Sequence, residues 1–262
     1  MELEVVQRRV VTSAAAGLLL LVVWILIGGC GVASEAGLEP AVQQSIRRAD
    51  EHLKRGRLEQ AGRELKRATA LTRHKTYVYL TAVQMMFGDR SRRGPLRAKQ
   101  ALSFTRELLD LNDRGKLERK LTRDELTLAL EALADLCNQL RRNDEAIPRL
   151  ERAMKAWPED ARLANDLGYT YAEAGVKLDR ALDLTQRAVR AEPDNGMFVD
   201  SLGWAYYKLG RCSEAIRQLR RAVRLAPAEP ELRLHLSQAY LRAGRRIEAE
   251  IELTKAKACE AR

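Results

Sequence analysis

Three histidines, four cysteines and a tryptophan set close to a tyrosine are the residues of this 262-residue chain whose types could do chemistry. His52, His74 and His235 lie far apart, none in a metal-binding spacing, and no serine, cysteine or carboxylate constellation recurs around them. No glycine-rich phosphate loop and no Gly-x-Ser-x-Gly elbow is present. Neither an enzyme nor a cofactor or metal site is expected. Cys137 reads as a core residue, and Cys212 and Cys259 as unpaired thiols, since no Cys-x-x-Cys spacing occurs. What remains is recognition. Trp204 and Tyr207, in "DSLGWAYYKLG" at 200–210, are of the type that anchors a bound peptide, and the competing reading is that they pack against neighbouring helices.

The elements that position them are helices with a repeated oddity. Gly203 interrupts a helical pattern, where glycine costs roughly 1 kcal/mol relative to alanine. Gly168 does the same one repeat earlier, and Ser237 takes the place one repeat later. Each is followed by a second helical pattern marked by alanines seven apart: Ala146 and Ala153, Ala181 and Ala188, Ala215 and Ala222, Ala249 and Ala256. Pro158, Pro193 and Pro227 end three of these helices. Asp144, Asp179 and Ser213, two residues before an alanine, are expected as their N-caps. Small residues on both helices predict close approach within each pair, with Tyr171 and Tyr206 buried between pairs.

A helix-turn-helix unit of about 34 residues with Leu-Gly-x-x-Tyr, then Ala-x-x-x-(Leu/Thr)-x-x-Ala, then Pro resembles the tetratricopeptide repeat, across 127–262. The expected fold is all-α, a right-handed superhelical solenoid of about six such units: 42–112 as two degenerate units, 113–126 as a charged linker, and 127–262 as units three to six. The resemblance implies that the second, fifth, ninth, twelfth and thirteenth positions of each unit line a concave groove. Counted from Ala161, Gly196 and Pro230, these are Arg162, Asn165, Tyr169, Ala172 and Glu173; Met197, Asp200, Trp204, Tyr207 and Lys208; and Glu231, Leu234, Gln238, Leu241 and Arg242. The lysine-asparagine clamp that some of these repeats use for C-terminal carboxylates is absent.

Residues 1–29 form a separate object. Arg8 and Arg9 precede an uncharged run from Val10 to Ile27, and Gly28-Gly29-Cys30 follows. This pattern describes an export signal, and its end resembles a bacterial lipobox, which implies lipidation at Cys30. The apolar run is also long enough for a membrane-anchoring helix, so both readings stand. Residues 30–41 read as a linker. The phrases "NDLGYTYAEAG" and "DSLGWAYYKLG" resemble envelope tetratricopeptide lipoproteins of bacteria, implying a location in the cell envelope with the repeats on the extracytoplasmic side.

Net charge is +10, carried by arginines on solvated helix faces such as "RQLRRAVR" at 217–224. No nucleic-acid motif accompanies it. The expected function is therefore a membrane-tethered scaffold or adaptor that binds a protein or peptide partner. The alternative is a structural assembly subunit, docking through its convex face or an apolar C-terminal edge at Ile247, Ile251 and Leu253 that invites homo-oligomers.

Overall fold

Two helices pair closely only where a turn reverses the chain and small residues let the backbones approach. The sequence supplies both at a fixed interval. The computed structural model describes residues 38–87 and 94–260, and all its regular elements there are α-helices. The expected signal or anchor and its Cys30 lie outside the described residues. The chain divides into two compact units, Met1–Ala129 and Leu130–Arg262.

The first unit holds α1 (Pro40–Lys54), α2 (Leu58–Leu71), α3 (Lys75–Phe87), α4 (Pro95–Asp113) and the start of α5 (Arg123–Leu140). Helices α1 and α2 pack together, as do α3 and α4. Between the first two, Gly56 has φ +70 and the Arg57 N–H donates to the His52 carbonyl. Five residues on come Ala61, Leu65 and Ala68, all fully buried. In the second pair the buried Arg97 guanidinium donates to the Met85 and Met86 carbonyls, at 2.8 and 2.9 Å, satisfying the orphan end of α3.

The stretch expected as a charged linker, 113–126, is helical from Arg123. The reason is a capping box: the Glu125 carboxylate accepts from the Thr122 N–H at 2.9 Å, and the Thr122 hydroxyl accepts from the Glu125 N–H at 3.3 Å. Burial works to raise the Glu125 pKa, but the Arg119 hydrogen bond and those from Thr122 prevail and hold it below its ordinary value.

The second unit continues α5 and adds α6 (Asn143–Ala156), α7 (Ala161–Ala174), α8 (Leu178–Ala191), α9 (Gly196–Lys208), α10 (Cys212–Leu225), α11 (Pro230–Arg242) and α12 (Arg246–Glu260). Within a pair the close approaches run antiparallel. A Cβ on Gly196 would meet Ala226, and one on Gly203 would meet Leu219 Cγ at 2.6 Å. On Gly168 it would meet Thr185 Cγ2 at 2.8 Å and the Ala181 carbonyl at 3.1 Å. Ser237 is tolerated at the same place because its hydroxyl donates to the equivalent carbonyl, that of Ala249, at 2.8 Å.

Each first helix ends on a left-handed residue: Arg141, Gly175, Gly210 and Gly244. The step from Gly168 to Gly203 is one residue longer than that from Gly203 to Ser237, and the extra residue enters at this turn. Ala215 follows Gly210 by five residues, but Ala181 follows Gly175 by six, and the insertion leaves Lys177 at φ 48. The expected N-caps are corrected. Arg142, Lys177 and Arg211 occupy those cap positions without side-chain capping bonds, and Asp144, Asp179 and Ser213 lie inside the first turn. Side-chain capping is instead on the first helices, where Asp160 and Asn195 accept from the N–H groups of Arg162 and Leu163 and of Met197 and Phe198.

The second helices differ at two positions of their outer faces. The residue after the first alanine is Ile147, Leu182 and Ile216 in turn, and that eight after it is Met154, Val189 and Val223. Leu182, Val189 and Val223 pack on the core of the following pair. Glu250 and Lys257, both exposed, take these two places in α12. The residues expected as an apolar edge, Ile247, Ile251 and Leu253, are 74%, 47% and 38% exposed, and the two isoleucines stand where α10 has the exposed Ser213 and Arg217.

Gly203→Ala should therefore force α9 from α10 and lower unfolding free energy by about 1–3 kcal/mol in urea denaturation. Unchanged stability would show that the pair is not closely packed there.

Candidate functional site

The Leu-Gly-x-x-Tyr pattern turns one side of each first helix toward its partner, so other positions must face away from it. Rings from α7, α9 and α11 meet on that side. His235 lies against Trp204 with centroids 4.2 Å apart and rings near parallel at 22°, and Trp204 stacks on Tyr207 at 4.6 Å and 14°. On its other flank His235 is 6.2 Å from Tyr169. Tyr169 and His235 belong to helices on either side of α9, so the first helices converge here and the face is concave.

Charges lock the stack. The Trp204 indole N–H donates to the Glu173 carboxylate, and Lys208 lies 3.5 Å from the same carboxylate and 5.1 Å from the indole centroid. Arg242 donates to the Tyr207 carbonyl at 2.6 Å and sits 5.0 Å over its ring. Beneath, Asp200 Oδ2 and His235 Nδ1 are 2.7 Å apart, with Asp200 only 3% and His235 only 7% exposed. Burial acts to lower the His235 pKa, but the Asp200 charge and hydrogen bond, with Glu231 and Glu173, outweigh it and the net shift is upward.

Of the residues expected to line the groove, Tyr169, Trp204, Tyr207, Lys208, Asp200 and Arg242 are brought together by these contacts. Trp204 does not stand open as expected. It is 5% exposed, covered by His235 and Tyr207, and acts as the floor of the face. Arg162 and Gln238 are exposed, and Asn165 and Met197 are half-buried. Asn165 donates to Asp166, and Met197 packs on the cluster of Val199, Ala222 and Leu232.

Sequence reasoning misses two contributors. His235 reads as an isolated histidine, although the repeat phase puts it on a first helix next to the groove positions. The third unit is also absent from the expected groove. One repeat back from α7, Glu131, Asp135 and Asn138 occupy the fifth, ninth and twelfth positions. Their charge reaches Asp166, whose pKa is driven well up, first by burial, then by Glu131, with Asp135 adding to it. Burial also raises the Tyr169 pKa, followed by the charges of Glu231, Glu173, Asp200 and Asp135. Among the described residues no group of three or more His, Cys, Asp or Glu could hold a metal ion.

A family model described as tetratricopeptide repeat matches residues 126–196 and 201–259. No curated protein matches. Solved structures to which the chain is similar include one titled MamA MSR-1 C2, at 22% identity over 71% of this chain and 97% of that one, with a TM-score of 0.45. Another is MamA 41-end from Desulfovibrio magneticus RS-1, at 17% identity, 85% and 97% coverage and a TM-score of 0.43. The family model supports the tetratricopeptide repeat, and the narrower resemblance to bacterial envelope lipoproteins is corrected to that broader likeness. The extracytoplasmic envelope location expected with that resemblance is corrected as well. No helix among the described residues is long and apolar enough to cross a membrane.

The His235 shift gives a pH dependence with a definite sign. A histidine whose folded pKa lies above its ordinary 6.5 adds stability below that pH and loses it as pH rises through the folded value. Urea unfolding of the protein and of His235→Gln should differ most below pH 6.5 and converge as pH rises through the folded value. A difference that shrinks as pH falls would show that His235 is held neutral in the fold.

Proposed function

We propose, from the tetratricopeptide repeats matched over 126–196 and 201–259 as premise, that this protein holds an extended segment of a partner protein along the concave face of α5, α7, α9 and α11. The repeat fold supports a general role as a protein–protein interaction scaffold, and the protein is a binding module, not an enzyme. The observation that carries the finer reading is the ladder of Tyr169, His235, Trp204 and Tyr207, which ties three successive first helices into one surface. Such a surface is ordered before the ligand arrives, so little side-chain entropy is lost on binding.

Roles divide by depth. Trp204, Asp200 and His235 form the floor, where they fix shape. Tyr169, Tyr207 and Lys208 are partly open, and Arg162, Gln238 and Arg242 stand at the rim. Asn165 offers an amide for backbone groups of an extended chain, and Met197 an adaptable apolar contact. The helix pairs of the first unit are read as degenerate repeats, the first of them on its Gly56, Ala61, Leu65, Ala68 spacing.

Peptides selected from a displayed random library on the full chain test this reading. Tyr169→Ala with Gln238→Ala should weaken the selected peptides about tenfold or more, as loss of an interface anchor does, with helicity preserved by circular dichroism. Arg220→Ala, exposed on α10, should leave them unchanged. Equal binding to all three proteins would place recognition elsewhere.

A further inference from the structure

The second helices of the second unit share one register, and α10 departs from it in charge. It carries Arg211, Arg217, Arg220, Arg221 and Arg224 against a single acid, Glu214. Register sorts these arginines by use. Arg211 pairs with Glu214 and lies over Tyr206. Arg221 stands where α8 has Arg187, and the two donate to the Pro193 and Pro158 carbonyls of the turns. Arg224 stands where α8 has Arg190 and α6 has Lys155, in the last turn, where a cation favours the helix C-terminus. Arg217 and Arg220 match nothing. Their places hold Pro148 and Glu151 in α6, Asp183 and Gln186 in α8, and Ile251 and Thr254 in α12.

Arg217, Arg220 and Arg224 are exposed and, at steps of three and four residues, lie along one face of α10 over about 10 Å of its axis. The opposite face, with Ala215, Ile216, Leu219 and Ala222, is buried where α10 packs on α9 and α11. Among the described residues none of the three arginines has a hydrogen bond or ion pair; Arg217 acts on Glu214 through its charge alone, and Arg211 already holds that carboxylate. Like charges at this spacing on a helix repel, so the stripe works against the helix that carries it. It is also only one helix wide. The same face presents Asp179 and Asp183 on α8 and Asp144 and Glu151 on α6, Asp183 being paired with Arg180 and Glu151 with Lys177. A broad anionic sheet, such as a lipid surface, would meet those acids, and a narrow acidic segment laid along α10 would not.

We propose that Arg217, Arg220 and Arg224 form a second docking surface, for an acidic helical segment of a partner protein whose carboxylates recur at three- and four-residue steps. The planar guanidinium fork takes a carboxylate with two hydrogen bonds, and matched spacing along two parallel axes lets successive pairs form together. The surface belongs to a second helix, apart from the first-helix face of the groove, so it does not depend on what the groove holds. Repulsion within the stripe separates binding from folding. Arg217→Gln with Arg220→Gln should hold or raise stability while losing affinity, which a structural role would not give.

The test uses the full chain and three fluorescent alanine-rich helical peptides of equal length, alike except that the stepped positions hold Glu, Gln or Lys, read by anisotropy at low salt. The Glu peptide should bind best and weaken as salt rises. Arg217→Gln with Arg220→Gln should weaken it about fivefold or more, with the thermal midpoint unchanged or higher. Charge reversal, Arg217→Glu with Arg220→Glu, should transfer the preference to the Lys peptide. Glu-peptide binding that survives both double variants would overturn the proposal, as would equal or absent binding of the Glu and Gln peptides. Sedimentation with vesicles of phosphatidylserine and phosphatidylcholine in equal parts, lost in the same variants while the Glu peptide fails to bind, would overturn it in favour of a lipid surface.

Discussion

The structure of the second unit depends on how closely two helix backbones can approach at Gly203 and Gly168. At Gly203 a Cβ would lie 2.6 Å from Leu219, so the contact admits no side chain. Close approach sets the spacing of the pair, buries Ala181, Ala215 and Leu219 completely, and fixes which side of each first helix turns inward to its partner. With that side committed, the fifth, ninth and twelfth positions are released to a shared concave face. The binding surface is thus a consequence of packing on the opposite side of the same helices.

The second helices also differ in their outer faces. The same register that puts Leu182, Val189 and Val223 on the core of a following pair places Glu250 and Lys257 at the end of α12. Turns are held by a recurring device, a cation over the tyrosine that precedes it: Lys177 on Tyr171, Arg211 on Tyr206 and Arg245 on Tyr240. Much of the basic charge therefore has a local structural use.

The repeat is legible in the sequence because small residues and prolines recur at fixed intervals and have few other physical meanings. The site is legible only in part. Helical phase gives the face on which Trp204 lies, but not that His235, from the next first helix, covers it, because stacking across repeats depends on curvature. The acidic side of the face is hidden because Ala134 and Cys137 replace the Gly and Tyr that announce the other units, although Glu131 and Asp135 keep the same phase. The misplaced helix starts have a similar cause. Asp144 and Asp179 have the right type for caps, yet the turn geometry puts them one or two positions inside, where their charge favours the helix N-terminus without a capping bond. At Thr122 the opposite holds: a capping box stands within a stretch whose charge made it read as linker.

The central claim is that ligands are held on the concave face whose floor is Trp204. Of the three indole N–H resonances of the full chain, two report on it directly: Trp204 lies in the face, Trp157 lies in the turn between α6 and α7, and Trp24 is outside the described residues. Titration with a bound peptide should move the Trp204 signal, whose proton is shared with Glu173, and leave that of Trp157 in place. Movement of Trp157 with Trp204 unmoved would contradict the account and put the binding site on the turns.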